Sequence, residues 1–151
     1  MILVVLKGAM ALLWMLVIFS FSQQGGSESA DLSMGVMDTL LSVLRFFEPD
    51  IETLINVELF HSVLRTMAHF FLYFFFAFWV YDFLKCFFED WFRLTTETAL
   101  IALLVAILDE SLQGQVPGRA MQISDIYTDF FGAIFGAVFM TVIFYKRKEV
   151  T

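Results

Sequence analysis

The stretch 99-ALIALLVAILDESLQ-113 decides how this chain is to be read. Ten apolar residues, Ala99 to Leu108, run without interruption into Asp109-Glu110-Ser111-Leu112-Gln113. Beyond them lie Pro117-Gly118-Arg119, Ser124-Asp125, Asp129 and the pair Gly132/Gly136, and then another apolar run. Ionisable and amide groups set this densely at the edge of membrane-seeking sequence are costly, so by default they mark a functional site.

Composition agrees. Of 151 residues 60% are hydrophobic and 20 are Phe, with a mean hydropathy of +0.79. That excess describes an all-α integral membrane protein with one membrane domain over residues 1–151. The formal charge of −7, without a basic patch or interleaved aromatics, excludes a nucleic-acid partner. Cys86 is the only cysteine, which leaves no intrachain disulfide and no cysteine-based metal site.

Four spans are predicted, at about residues 2–21, 67–84, 94–108 and 126–145. The first lacks a basic leader and a small-residue cleavage site, so it reads as a retained helix with Lys7 snorkelling to the near interface. A polar break, Ser22 to Ser27, follows it. Met37, Leu40, Leu41, Leu44 and Phe47 then recur at helical spacing up to Pro49, which predicts an amphipathic helix on the membrane surface or over the bundle. Lys7, Lys85, Arg93, Lys146, Arg147 and Lys148 fall on one side of the membrane and Arg45, Arg65 and Arg119 on the other. Six basic residues against three place both termini in the cytoplasm and the amphipathic helix outside. Gln23, Arg65, His69, Asp109, Glu110, Gln113, Arg119, Ser124 and Asp125 then gather at the outer face.

His61, Arg65, His69 and Tyr73 are spaced to stack on one helix face. Asp109 and Gln113 share another, as do Asp125, Asp129, Gly132 and Gly136. The glycines form GxxxG, which permits close approach of a neighbouring helix or of a second copy of the chain. The carboxylates admit two readings: interhelical ion pairs that hold a bundle together, or a tuned acid/base beside anion-gripping arginines. Four carboxylates also have the chemistry to hold Mg²⁺ or Ca²⁺, but no loop spacing enforces it, so metal and cofactor stay unassigned. HExxH, GxSxG and P-loop motifs are absent. The Pro117-Gly118 turn is expected to aim Arg119 back toward Asp109, Glu110 and His69.

Arg65-x-x-x-His69-Phe70-x-x-Tyr73, Asp109-Glu110-x-x-Gln113, Pro117-Gly118-Arg119 and Ser124-Asp125-x-x-x-Asp129-x-x-Gly132-x-x-x-Gly136 together resemble the VanZ-like family. Phe19-Ser20-Phe21-Ser22-Gln23 is similar to that family's Phe-Ser-x-Gln stretch. Thr66 and Asp129 stand where the family usually carries Lys and Asn. The resemblance implies a Gram-positive cell-envelope protein of the cell membrane, linked to low-level resistance to the glycopeptide teicoplanin. In the enzyme reading of the residues His69 is the expected acid/base, with Asp109 and Glu110 as its orienting or metal-binding partners. Arg65 and Arg119 become phosphate clamps, and Gln23, Tyr73, Gln113, Ser124, Asp125 and Asp129 line the substrate side. The expected partners are membrane lipids and a lipid-linked envelope precursor. Three roles stay open: an enzyme on such a substrate, a non-catalytic lipid- or antibiotic-binding module, and a structural or assembly partner.

Overall fold

Backbone N–H and C=O groups cannot go unpaired in hydrocarbon, so long apolar runs close their hydrogen bonds internally as helices. The computed structural model describes residues 1–149, apart from the side chains of Glu52 and of residues 145–149, and every regular element among the described residues is a helix. The side chains of the closing triplet Lys146-Arg147-Lys148, half of the orientation argument, therefore lie outside the described ones. In order come α1 Ile2–Ser22, α2 Gly26–Phe47, the single turn α3 Ile51–Leu54, α4 Val57–Leu84, α5 Trp91–Gln113 and α6 Ile123–Glu149. α1, α4, α5 and the Ile123–Phe144 part of α6 are long and apolar enough to cross a membrane.

These helices outrun the apolar stretches that announce them, because polar residues cap them. Asn56 accepts from the Leu59 N–H at 3.0 Å and starts α4 at Val57, ahead of the apolar span at 67–84 and in keeping with the shared helix face expected for His61, Arg65, His69 and Tyr73. Asp90 accepts from the Arg93 N–H at 2.7 Å and starts α5 at Trp91. At its other end α5 runs on past Leu108 through Asp109, Glu110 and Gln113, which form its last turn. The polar break after α1 shrinks to Gln23–Gly25. There Glu28 accepts from the Gly25 N–H at 3.3 Å and opens α2 at Gly26, so the Met37–Phe47 periodicity marks only its second half.

α4 is central: it packs most extensively on α6 and also touches α1, α2 and α5. α4 and α6 run parallel in a fixed register. Arg65 meets Asp125, His69 meets Asp129 and Tyr81 meets Thr141, each pair 60 positions apart. Along the same seam Gly132 lies against the Phe70 carbonyl and Gly136 against the Phe74 carbonyl. The GxxxG pair is thus engaged within the chain. Ala77, Ala102, Ala106, Ala133 and Ala137, each 0% exposed, continue the small-residue packing that drives helix association in lipid.

Polar contacts tie the other helices in. Trp14 Nε1 donates to the Leu72 carbonyl at 2.8 Å, joining α1 to α4. Lys7 Nζ pairs with Asp82 Oδ1 at 2.8 Å instead of only snorkelling. Thr95 and Thr141 hydroxyls meet at 2.8 Å, linking α5 to α6. Leu3, Leu6, Leu13 and Leu16 of α1 stay exposed, an apolar surface suited to lipid tails.

A side chain at 132 would fall on the Phe70 carbonyl oxygen. Gly132→Leu is therefore expected to destabilise the protein in detergent by about 1–3 kcal/mol or more, as overpacked cores do. Gly35, in the middle of α2, has nothing within 4 Å of an added Cβ. Gly35→Ala should leave stability unchanged or raise it by about 0.5–1 kcal/mol. Equal thermal unfolding midpoints for the two variants would rule out the α4–α6 contact as a tight seam.

Candidate functional site

Trp14, Ile18 and Ser22 are spaced four apart, so they share the inward face of α1. Ser22, 1% exposed, consequently brings its hydroxyl to Asp109 Oδ1 on the last turn of α5. Asp109 Oδ2 accepts from Gln113 Nε2 at 3.2 Å, one helical turn on. Gln113 Oε1 accepts from Arg119, whose Nη1 donates to the Phe21 carbonyl at 3.2 Å. A closed circuit results: α1, α5 and the following loop hold one another through a hydroxyl, a carboxylate, an amide, a guanidinium and a carbonyl. Gly118, with φ +80°, supplies the turn that returns Arg119 to the bundle.

The second part of the layer lies along the α4–α6 seam. Arg65 Nη2 and Asp125 Oδ2 are 3.0 Å apart, and Ser124 donates to Asp125 Oδ1 at 3.4 Å. His69 Nδ1 and Asp129 Oδ1 are 3.1 Å apart. Glu110 Oε2 accepts from the Gln122 N–H at 2.8 Å. Glu110 Oε1, Asp129 Oδ2 and the Tyr73 hydroxyl are buried without a hydrogen-bond partner. One ligand atom each from His69, Glu110 and Asp129 lie within 4.8 Å of one another.

A cavity of about 290 Å³ opens beside this layer. Its polar wall includes Ser22, Gln24, Arg65, His69, Tyr73, Asp109, Gln113 and Arg119; its apolar wall includes Ile18, Leu32, Val36, Leu64 and Leu72. Burial holds the Arg119 pKa below its ordinary value, with the Arg65 charge pushing the same way against Glu110, Asp109 and Asp125. Two guanidiniums thus share one cavity, an arrangement that favours an anion between them.

Of the residues singled out by the sequence, Arg65, His69, Tyr73, Asp109, Gln113 and Arg119 reach the cavity wall. Glu110 and Asp129, each 0% exposed, join them through the cluster with His69. Asp125 stands beside them in its pair with Arg65, and Ser124 is exposed. Gln23 is exposed as the C-cap of α1 and lies off the cavity wall. Arg119 takes Gln113 and the Phe21 carbonyl instead of aiming at Asp109, Glu110 and His69, because Asp109 is already engaged by Ser22 and Gln113. The sequence reading missed Ser22, although the Trp14-Ile18-Ser22 spacing signals it. It also missed the Gln122 N–H, a backbone donor that no side chain announces.

Four apolar helices fit a multi-pass membrane protein, and a layer of carboxylates, an amide and an imidazole lies at one end of the bundle. The chain belongs to the VanZ/LLP1 family, which it matches over residues 8–145. No curated protein and no solved structure matches it.

Removing the Ser22 hydroxyl takes a donor from a buried carboxylate, so Ser22→Ala should cost roughly 1–3 kcal/mol in chemical unfolding in micelles. Ser20, also near the end of α1, is exposed and bonds only the Val17 carbonyl at 2.7 Å. Ser20→Ala should stay within about 0.5 kcal/mol of wild type. Indistinguishable losses in the two variants would show that the circuit contributes nothing.

Proposed function

We propose that this protein is a cell-membrane component of the envelope that takes an amphiphilic, lipid-linked or phosphate-bearing molecule from the outer leaflet. Both termini lie in the cytoplasm, and α2 lies outside as an amphipathic helix. The observation that carries this reading is the cavity. One wall is aliphatic and suits an acyl chain, whereas the other presents Arg65 and Arg119 to an anionic headgroup. α2 fits the same picture. Leu32, Val36, Leu40, Val43 and Phe47 are exposed and fall on one helical stripe, which leaves an apolar face for the membrane surface while Leu32 and Val36 line the cavity. Retaining or altering such a molecule would change how a glycopeptide such as teicoplanin engages the cell surface.

A second reading, chemistry on the headgroup, is favoured by the His69–Asp129 contact of 3.1 Å, since a carboxylate holding an imidazole is the usual support of an acid/base. Lipid analysis separates the two. A bound lipid with an unchanged cellular pool supports the binder, and a changed pool supports catalysis.

Guanidinium grips phosphate through two parallel bonds and ammonium does not. Arg65→Lys keeps a cation for Asp125, so the variant should fold normally and still lose ten- to a hundredfold in headgroup affinity, about 1.4–2.8 kcal/mol. Mass spectrometry of lipid co-purifying with each protein reads the loss, and teicoplanin susceptibility of cells expressing each variant should follow it. Equal lipid content in wild type and Arg65→Lys removes the clamp. For orientation, cysteines placed at Gln115 and Ser27 should react with a membrane-impermeant reagent in intact cells, whereas Cys86 should not. The opposite pattern would turn the site toward the cytoplasm.

A further inference from the structure

Two buried carboxylates, Glu110 on α5 and Asp129 at the α4–α6 seam, are only half satisfied. Glu110 gives Oε2 to the Gln122 N–H, and Asp129 gives Oδ1 to His69. Their other oxygens, Glu110 Oε1 and Asp129 Oδ2, are buried without a partner, in residues that are 0% exposed. Carboxylate oxygens cut off from both water and donors are strongly unfavourable, and two side by side repel each other as well. The guanidiniums of this end have other contacts: Arg65 pairs with Asp125, and Arg119 bonds Gln113 and the Phe21 carbonyl. The cluster therefore holds more negative charge than its protein contacts offset.

We propose that His69, Glu110 and Asp129 form a site for one divalent metal ion of the Zn²⁺ or Mn²⁺ type. Their ligand atoms, one from each residue, lie within 4.8 Å of one another. The 3.1 Å between His69 Nδ1 and Asp129 Oδ1 falls within the roughly 3.0–3.4 Å that separates two adjacent ligands held about 2.1 Å from a common ion, octahedral to tetrahedral, the ion then taking the place of their hydrogen bond. Two carboxylates neutralise a dication, and a carboxylate that chelates through both oxygens also gives its orphaned oxygen a partner. The donor set chooses among dications. Ca²⁺ takes six to eight oxygens and Mg²⁺ keeps most of its waters, whereas one imidazole with two carboxylates suits borderline ions. Three protein ligands leave coordination positions open. His69 also lines the cavity, so such an ion lies at its polar wall. The site does not depend on what fills the cavity, and with the ion bound His69 serves as a ligand and not as the acid/base of the second reading.

Full-length protein in detergent, stripped with chelator and dialysed against Zn²⁺ or Mn²⁺, is expected to retain one ion per chain. Glu110→Gln and Asp129→Asn keep shape and should bind at least tenfold more weakly, whereas Glu28→Gln, exposed on α2, should bind as wild type. X-ray absorption at the metal edge of the loaded wild type should show the outer-shell scattering of one imidazole. That measurement needs no variant, so it decides the question even where a substitution impairs folding. An unloaded wild type, undiminished binding in both Glu110→Gln and Asp129→Asn, or a metal edge without imidazole scattering each overturns the proposal.

Discussion

The parallel register of α4 and α6 is the constraint on which the rest depends. A constant offset of 60 residues links Arg65 to Asp125, His69 to Asp129 and Tyr81 to Thr141. Gly132 and Gly136 make it a contact of backbones, with the Phe70 and Phe74 carbonyls where side chains would otherwise stand. A change of one residue in that register would rotate His69 away from Asp129 by about 100° on a helix of 3.6 residues per turn. Packing and polar chemistry are therefore set by one seam: small residues allow the approach, and the charged pairs beyond them exploit it. Edge-to-face Phe70–Phe135, with centroids 5.8 Å apart, flanks the same seam.

Electrostatics explains why the polar layer is divided in two. Around Asp109 the carboxylate is met by neutral donors, Ser22 and Gln113, and the nearby guanidinium is stationed on neutral acceptors. Around Glu110 and Asp129, the Gln122 N–H and His69 each meet one carboxylate oxygen and leave the other without a partner. The first half behaves as a brace between α1 and α5, since each of its members is satisfied by another protein group. The second half carries unmet hydrogen-bonding capacity in a low-dielectric setting, the condition under which a site has affinity to spare for a ligand. The cavity touches both halves through Asp109 and His69.

The sequence made the four apolar helices legible because hydrocarbon leaves the backbone few alternatives. It also supplied the family and most of the polar constellation. Helix ends were harder to read. Asp90 acts as a cap only when its side chain turns back on the following N–H group, so the start of α5 at Trp91, ahead of its apolar run, left little mark in the pattern. Gln23 stood out by its motif, whereas Ser22, its plainer neighbour, is the residue on the inward face. Asp82 was hidden among aromatics, although it is the acid at the matching depth for Lys7. Contacts made through the backbone, such as Arg119 to the Phe21 carbonyl, leave no trace in side-chain pattern.

The bond between Ser22 and Asp109 also has a consequence for biogenesis. The two residues are 87 positions apart. At a synthesis rate of about 5–20 residues per second, the α1 segment is made roughly 4–17 s before its carboxylate partner leaves the ribosome. For that interval Trp14 and Ser22 face lipid or translocon without Leu72 or Asp109 to receive them. α1 can enter the bilayer on hydrophobicity alone, but its docking must wait for α4 and α5. Insertion of α1 thus precedes the closure of its polar contacts.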